Sequence, residues 1–173
     1  MHYRTRVYIA ADWDGDKDAV NKLREWNNSG YWSLSFPDAH ELIQARDSSL
    51  NCSIKQSLKN RMDASKTFVL IVGGNTRNVK SGSCQYCNSY NAWTSSCARY
   101  HTIDYRSYIA YECDKAKEAG IKIVVLYNST IVDKSKCPEV IRFIGTHLPM
   151  KYYSSYTGQV SWNYGPIKNA IMG

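Results

Sequence analysis

The sequence has no apolar run near the roughly 20 residues that a membrane-spanning helix needs; its longest, such as Thr67 to Val72, are of strand length. Its start, MHYRTRVYIAADWDGD, holds no apolar stretch long enough for a signal peptide. An intracellular, cytoplasmic protein without membrane contact is therefore expected. Runs of basic residues are missing too. The net charge of +7 and the pI of about 9.1 favour anionic partners, but the 22 Lys and Arg are scattered instead of forming the stripe of a nucleic-acid binder. Nucleic acid is not an expected partner. There is no G-x-G-x-x-G and no Walker A sequence, so hydride transfer and phosphoryl transfer lose their usual signals. Internal repeats are absent, and 173 residues suit one domain that buries its own core without disulfides. In a reducing compartment the six cysteines are expected as thiols or metal ligands.

What is present reads as alternating strands and helices. Val7 to Ala11 is short, apolar and rich in β-formers, the pattern of a buried first strand. Asp12 to Asp16 forms a polar turn, and Lys17 to Asn27 a helix with Val20 and Leu23 at helical spacing. Trp32 to Phe36 alternates as a second strand, ended by Pro37-Asp38. Ile54, Leu58 and Met62 mark the next helix, and Thr67 to Val72 a central strand covered on both faces. Ser107 to Ala119 is a helix with Ile109, Cys113 and Ala116 inward and Gly120 as its stop; Ile121 to Tyr127 is another buried strand. Cys137-Pro138-Glu139 opens a helix carrying Val140, Ile141 and Ile144; Lys151 to Tyr153 reads as an edge strand and Tyr164 to Met172 as a terminal helix. The whole predicts one α/β domain over 1–173: three layers, a doubly wound and mainly parallel sheet of flavodoxin-like kind. In such folds ligands bind outside the carboxyl ends of the strands, which selects Asp12 to Asp16, Pro37 to Glu41, and Gly73 onward.

A segment at about 74–105 breaks this rhythm. It is rich in Gly, Ser, Asn, Tyr and Cys and shows neither helical nor strand period. Within it stand Cys84-x-x-Cys87, Cys97 and His101. The first pair fixes two thiolates on one turn and C-x₃-H supplies two more donors, enough for a closed, structural Zn²⁺ site in place of a hydrophobic core. Cys113 is an alternative fourth ligand. Free cysteines in a loop, or a disulfide formed on oxidation, are the competing readings. Cys52 and Cys137 read as isolated core or capping thiols.

Three acidic residues and one aromatic are candidates for a cleft. Glu112 lies about 60° around the helical wheel from Ile109, at the border of the buried stripe, where a carboxylate held partly dry can stabilise developing positive charge. An exposed helix glutamate is the commoner outcome for such a position. Asp12 and Asp38 follow the first two strands and can hydrogen-bond ribose hydroxyls, or serve simply as a cap and a turn residue; Trp13 can stack on a flat ring.

Several blocks together resemble a known family. Arg6 to Asp12 resembles the opening strand of TIR-type domains. Ser53 to Lys59 followed by Ser65 to Gly73 is similar to the second helix and central strand of bacterial TIR-like proteins. Tyr108-Ile109-Ala110-Tyr111-Glu112, then Lys115-Ala116 and Gly120 to Asn128, is similar to their W-V-x-x-E helix, glycine and buried strand. The closest subgroup is the TIR-like component of the Thoeris anti-phage system, and the resemblance spans roughly residues 5–148. It implies a defence signalling enzyme that cleaves NAD⁺ as substrate, with Glu112 as the catalytic residue; Asp12, Trp13 and Asp38 are expected near the nucleotide from their strand-end positions alone. It also implies a cyclic ADP-ribose-type signal that reaches a separate effector protein. A non-catalytic TIR-like interaction module, including a homo-oligomer built on the tyrosine-rich surface, and a nucleoside or deoxyribosyl transferase remain open alternatives.

Overall fold

The computed structural model describes residues 6–29 and 50–173. The strand expected at Trp32 to Phe36 and the candidate Asp38 lie outside the described residues.

Among the described residues four parallel strands form the main sheet: β1 (Arg6–Ala10), β2 (Ser65–Val72), β5 (Lys122–Tyr127) and β6 (Thr146–Pro149), paired in the order β1-β2-β5-β6. Tyr8 sits level with Phe68, and Phe68 with Ile123, so one row of large side chains runs across β1, β2 and β5. All but one residue of β2 is buried, as its unbroken apolar run predicts; the exception is Lys66 near its start.

Alternating side chains feed two cores, one on each face. On the first face Tyr8, Phe68, Leu70, Ile123 and Val125 pack against α2 (Asn51–Asp63) and α3 (Tyr108–Glu118), through Ile54, Leu58 and Met62 and through Ile109, Cys113 and Ala116. On the second face Val7, Ile9, Val69, Ile71, Val124 and Leu126 pack against α1 (Lys17–Asn28) and α4 (Tyr164–Met172). Helices on both faces of a parallel sheet make the expected three-layer α/β arrangement. No helix among the described residues is long and apolar enough to cross a membrane.

Two expectations change. The helix expected from Cys137 is a single 3₁₀ turn, Glu139–Ile141: Ile141 is buried in the core and Val140 packs against it, but Phe143 is 80% exposed and Ile144 is exposed too, so no apolar stripe continues past the turn. Lys151 to Tyr153 is not an edge of the main sheet: β7 (Lys151–Ser154) pairs antiparallel with β8 (Gln159–Trp162) in a separate hairpin. The inserted segment carries two 3₁₀ turns, Thr76–Asn78 and Cys84–Tyr86, and a minimal hairpin of β3 (Tyr90–Asn91) and β4 (Ser96–Cys97).

Candidate functional site

Helix α3 begins where Ser107 accepts a hydrogen bond from the Ala110 amide at 3.1 Å, an N-cap of the ordinary kind. Its inward arc is wider than the apolar stripe predicts, because Tyr108, Tyr111 and Glu112 are buried along with Ile109, Cys113 and Ala116. Glu112 is 4% exposed. Its Oε1 accepts a hydrogen bond from the hydroxyl of Tyr8, a fully buried residue on β1. Burial pushes the Glu112 carboxyl up to about 8, and the Tyr8 hydrogen bond, which favours the charged form, only partly offsets this. Burial, with the nearby Glu112 charge, likewise holds the Tyr8 phenol well above its usual range. Burial thus favours the protonated form of Glu112. Sequence periodicity places Glu112 near the core but carries no sign of Tyr8, which lies 104 positions away.

One turn earlier on α3, Tyr108 closes over the same region. Its hydroxyl donates to Asn51 Oδ1 at 3.2 Å, and Asn51 Nδ2 donates to the Ser83 carbonyl at 2.9 Å. Gly82, in the left-handed region at φ +96°, lies so close that a Cβ there would stand 2.5 Å from the Tyr108 ring. The inserted segment is thus pressed onto the start of the helix that carries Glu112.

A second polar group ties together the carboxyl ends of β1, β2 and β5. Asp16, just ahead of α1 and buried, accepts from Asn128 Nδ2 at 3.0 Å; Asp18 accepts from the same nitrogen at 2.9 Å and from Lys151 at 3.0 Å. Gly73, immediately after β2, touches the Asp16 carboxylate so closely that a Cβ would fall 1.9 Å from it. Burial pushes the Asp16 carboxyl up, against the Asn128 hydrogen bond. Asp16 closes the Asp12 to Asp16 segment that the sequence selects, whereas Asn128, just after β5, was not singled out by sequence.

The other candidates are placed as follows. Asp12 is half-buried in the β1–α1 turn, and its carbonyl accepts from the Asp16 amide at 2.7 Å. Trp13 packs on the α1 side of the sheet with the Arg24 guanidinium 4.9 Å from its ring, whereas Glu112 belongs to the opposite face; the fold does not bring Trp13 and Glu112 together. Cys84, Cys87, Cys97 and His101 do come together, around one small pocket. Cys52 joins them from α2, so it is not the isolated thiol that its sequence position suggests. Cys113 is buried in the core between α2 and α3 and is not part of this cluster; Cys137 is buried in the same core. No three His, Cys, Asp or Glu side chains among the described residues are already gathered tightly enough to hold a metal ion. The cysteine cluster faces a shared pocket without converging on its centre.

This β1–α1 turn, buried β2 and following glycine loop have a counterpart among known proteins. Residues 8–81 match the family model of the Thoeris protein ThsB, TIR-like domain. The matched stretch contains Tyr8, Asp12, Trp13, Asp38 and the α2–β2 unit. It spans under half of the chain, includes Cys52 and ends before Cys84, Cys87, Cys97, His101 and Glu112, whose placement rests on the fold itself. No curated protein matches the chain.

Proposed function

We propose that this TIR-like protein is a bacterial anti-phage defence signalling enzyme that cleaves NAD⁺ in the cytoplasm and makes a cyclic ADP-ribose-type signal for a separate effector. The observation that carries this reading is the Glu112 carboxyl, buried against Tyr8 one turn inside α3. NAD⁺ presents a positively charged nicotinamide ring. Bringing that charge beside Glu112 lowers the proton affinity of the carboxyl, so the group ionises as the substrate binds. The bond between ribose C1′ and nicotinamide then breaks with both electrons leaving on nicotinamide, and the cationic ribose is stabilised by the carboxylate. Capture of C1′ by a nitrogen of the adenine closes a cyclic product, while capture by water gives ADP-ribose. The Tyr8 hydroxyl holds the carboxylate in position and shares its charge.

The test is nicotinamide release from NAD⁺ by purified protein. Glu112→Gln keeps the size of the side chain and removes its charge, and a loss on the order of 10²- to 10⁴-fold is expected. Equal rates for the two proteins would remove Glu112 from the chemistry. Offering free nucleosides beside NAD⁺ separates this activity from nucleoside or deoxyribosyl transfer.

A second reading, a non-catalytic assembly module, draws on the nearly full exposure of Trp93, Tyr100 and Tyr156. Phage protection that survives Glu112→Gln would favour it.

A further inference from the structure

The inserted segment lacks an apolar core of its own, yet α2 holds it along one seam. At one end Asn51 Nδ2 donates to the Ser83 carbonyl at 2.9 Å. At the other, Lys55, a buried lysine, donates to the Arg106 carbonyl at 2.7 Å and pairs with Asp104 Oδ2 at 3.4 Å. Between them Cys52 Sγ lies 3.0 Å from His101 Nδ1. There Cys52, Cys84, Cys87, Cys97 and His101, with Tyr90, line a pocket of about 10 Å³, room for roughly one water-sized sphere.

The backbone accounts for this convergence. Cys84–Tyr86 is one 3₁₀ turn closed by the Cys87 amide on the Cys84 carbonyl at 2.9 Å, so two sulfurs share a knuckle. The Tyr90 amide donates to the Cys87 carbonyl at 2.9 Å, and Tyr90 pairs directly with Cys97 across the β3–β4 hairpin. A third sulfur is thereby carried back to the first two. The Asp104 amide donates to Cys84 Sγ at 3.3 Å, the kind of N–H to sulfur contact that steadies a thiolate. Cys52 lies in the first turn of α2 and brings a fourth sulfur from outside the insertion.

We propose that this cluster is a closed, structural zinc site, with Cys52, Cys84, Cys87 and Cys97 as four thiolate ligands and His101 hydrogen-bonded to Cys52 from outside the coordination sphere. The donors face the pocket without meeting at its centre. A cysteine sulfur moves by rotation about one side-chain bond, and that rotation is the adjustment the proposed site requires on binding. Binding releases the four thiol protons to solvent, and the Zn–S bonds supply the cohesion that the polar segment cannot draw from apolar burial. Because one ligand comes from α2 and three from the insertion, the ion fastens the insertion beside the start of the Glu112 helix.

The test is elemental analysis and X-ray absorption on the full-length protein purified under reducing conditions and reconstituted with zinc. One zinc per chain is expected, with a single sulfur shell near 2.3 Å and no imidazole scattering. Cys52→Ser and Cys97→Ser should lose the metal, and His101→Ala should keep it. Chelation should expose the insertion to trypsin at Arg77, Lys80 and Arg99 while the sheet stays folded. If the serine variants do not fold, absorption by the wild-type protein still decides the ligand set. Absence of stoichiometric zinc, a disulfide among these cysteines under reducing conditions, or zinc retained by Cys52→Ser would overturn the proposal, and so would imidazole in the first shell.

Discussion

Replacing Glu112 by glutamine should stabilise the folded chain, and by an amount that depends on pH in a defined way. Burial raises the folded-state carboxyl from an ordinary value of 4.5 to about 8. Below the ordinary value both folded and unfolded chains hold the proton, and the residue carries no ionisation penalty. Between there and about 8 the unfolded chain gives up its proton while the folded one keeps it, so wild-type stability falls as pH rises. Above about 8 both states are ionised and the penalty levels off. Each unit of raised pKa corresponds to ~1.4 kcal/mol, which sets a ceiling of roughly 5 kcal/mol; water penetration and side-chain relaxation reduce the expected gap to about 2–4 kcal/mol. Glutamine has no such titration and its carbonyl oxygen still accepts from Tyr8. Urea denaturation of both proteins across the range from about pH 5 to about pH 9.5 reads the difference directly, and for a chain of this size each kcal/mol also moves Tm by roughly 2–4 °C. The gap should open with rising pH and flatten above about 8. A gap that is constant with pH, or that widens on acidification, would show that Glu112 is not held neutral by burial.

Three further outcomes follow from other contacts. Tyr8→Phe removes the hydrogen bond that favours ionised Glu112, so the acid limb of the NAD⁺-cleavage profile should move alkaline by on the order of one pH unit, measured as kcat/KM against pH. Gly73→Ala drives a methyl group into the Asp16 carboxylate at the strand ends and should destabilise by about 1–3 kcal/mol in denaturant melts, whereas Gly74→Ala, with open space around it, should be nearly neutral. Lys55→Met leaves the Arg106 carbonyl and Asp104 without their amine; faster amide exchange at Asp104 to Ser107 is expected, with β2 unchanged.

The fold was legible wherever burial imposed a period. The apolar runs of β2 and β5 and the i, i+4 stripe of α2 can arise only from elements with covered faces. Tyr164–Met172 matched its expected range because Ile167 and Ile171 are buried at helical spacing, with Tyr164 and Ala170 packed beside them. β6 escaped notice because Thr146–Pro149 is short, mostly half-buried and ends in a proline, which an outer strand of the sheet tolerates. β8 escaped for a related reason: Gln159 to Trp162 is exposed or half-buried along its whole length. Within the candidate site, the helix and register of Glu112 could be read from sequence, but its degree of burial could not, since that depends on β1 and on the inserted segment. Spacing suggested the cluster of Cys84, Cys87, Cys97 and His101. Cys52 lies 32 positions before the first of them, and only the packing of the insertion against α2 brings it alongside.

The most direct measurement is mass spectrometry of nucleotides extracted from phage-challenged cells that express either the wild-type chain or Glu112→Gln at equal levels. The account predicts falling NAD⁺ with an accumulating cyclic ADP-ribose-type species in wild-type cells, and neither change with the variant. The same NAD⁺ loss and the same new species in both would contradict it.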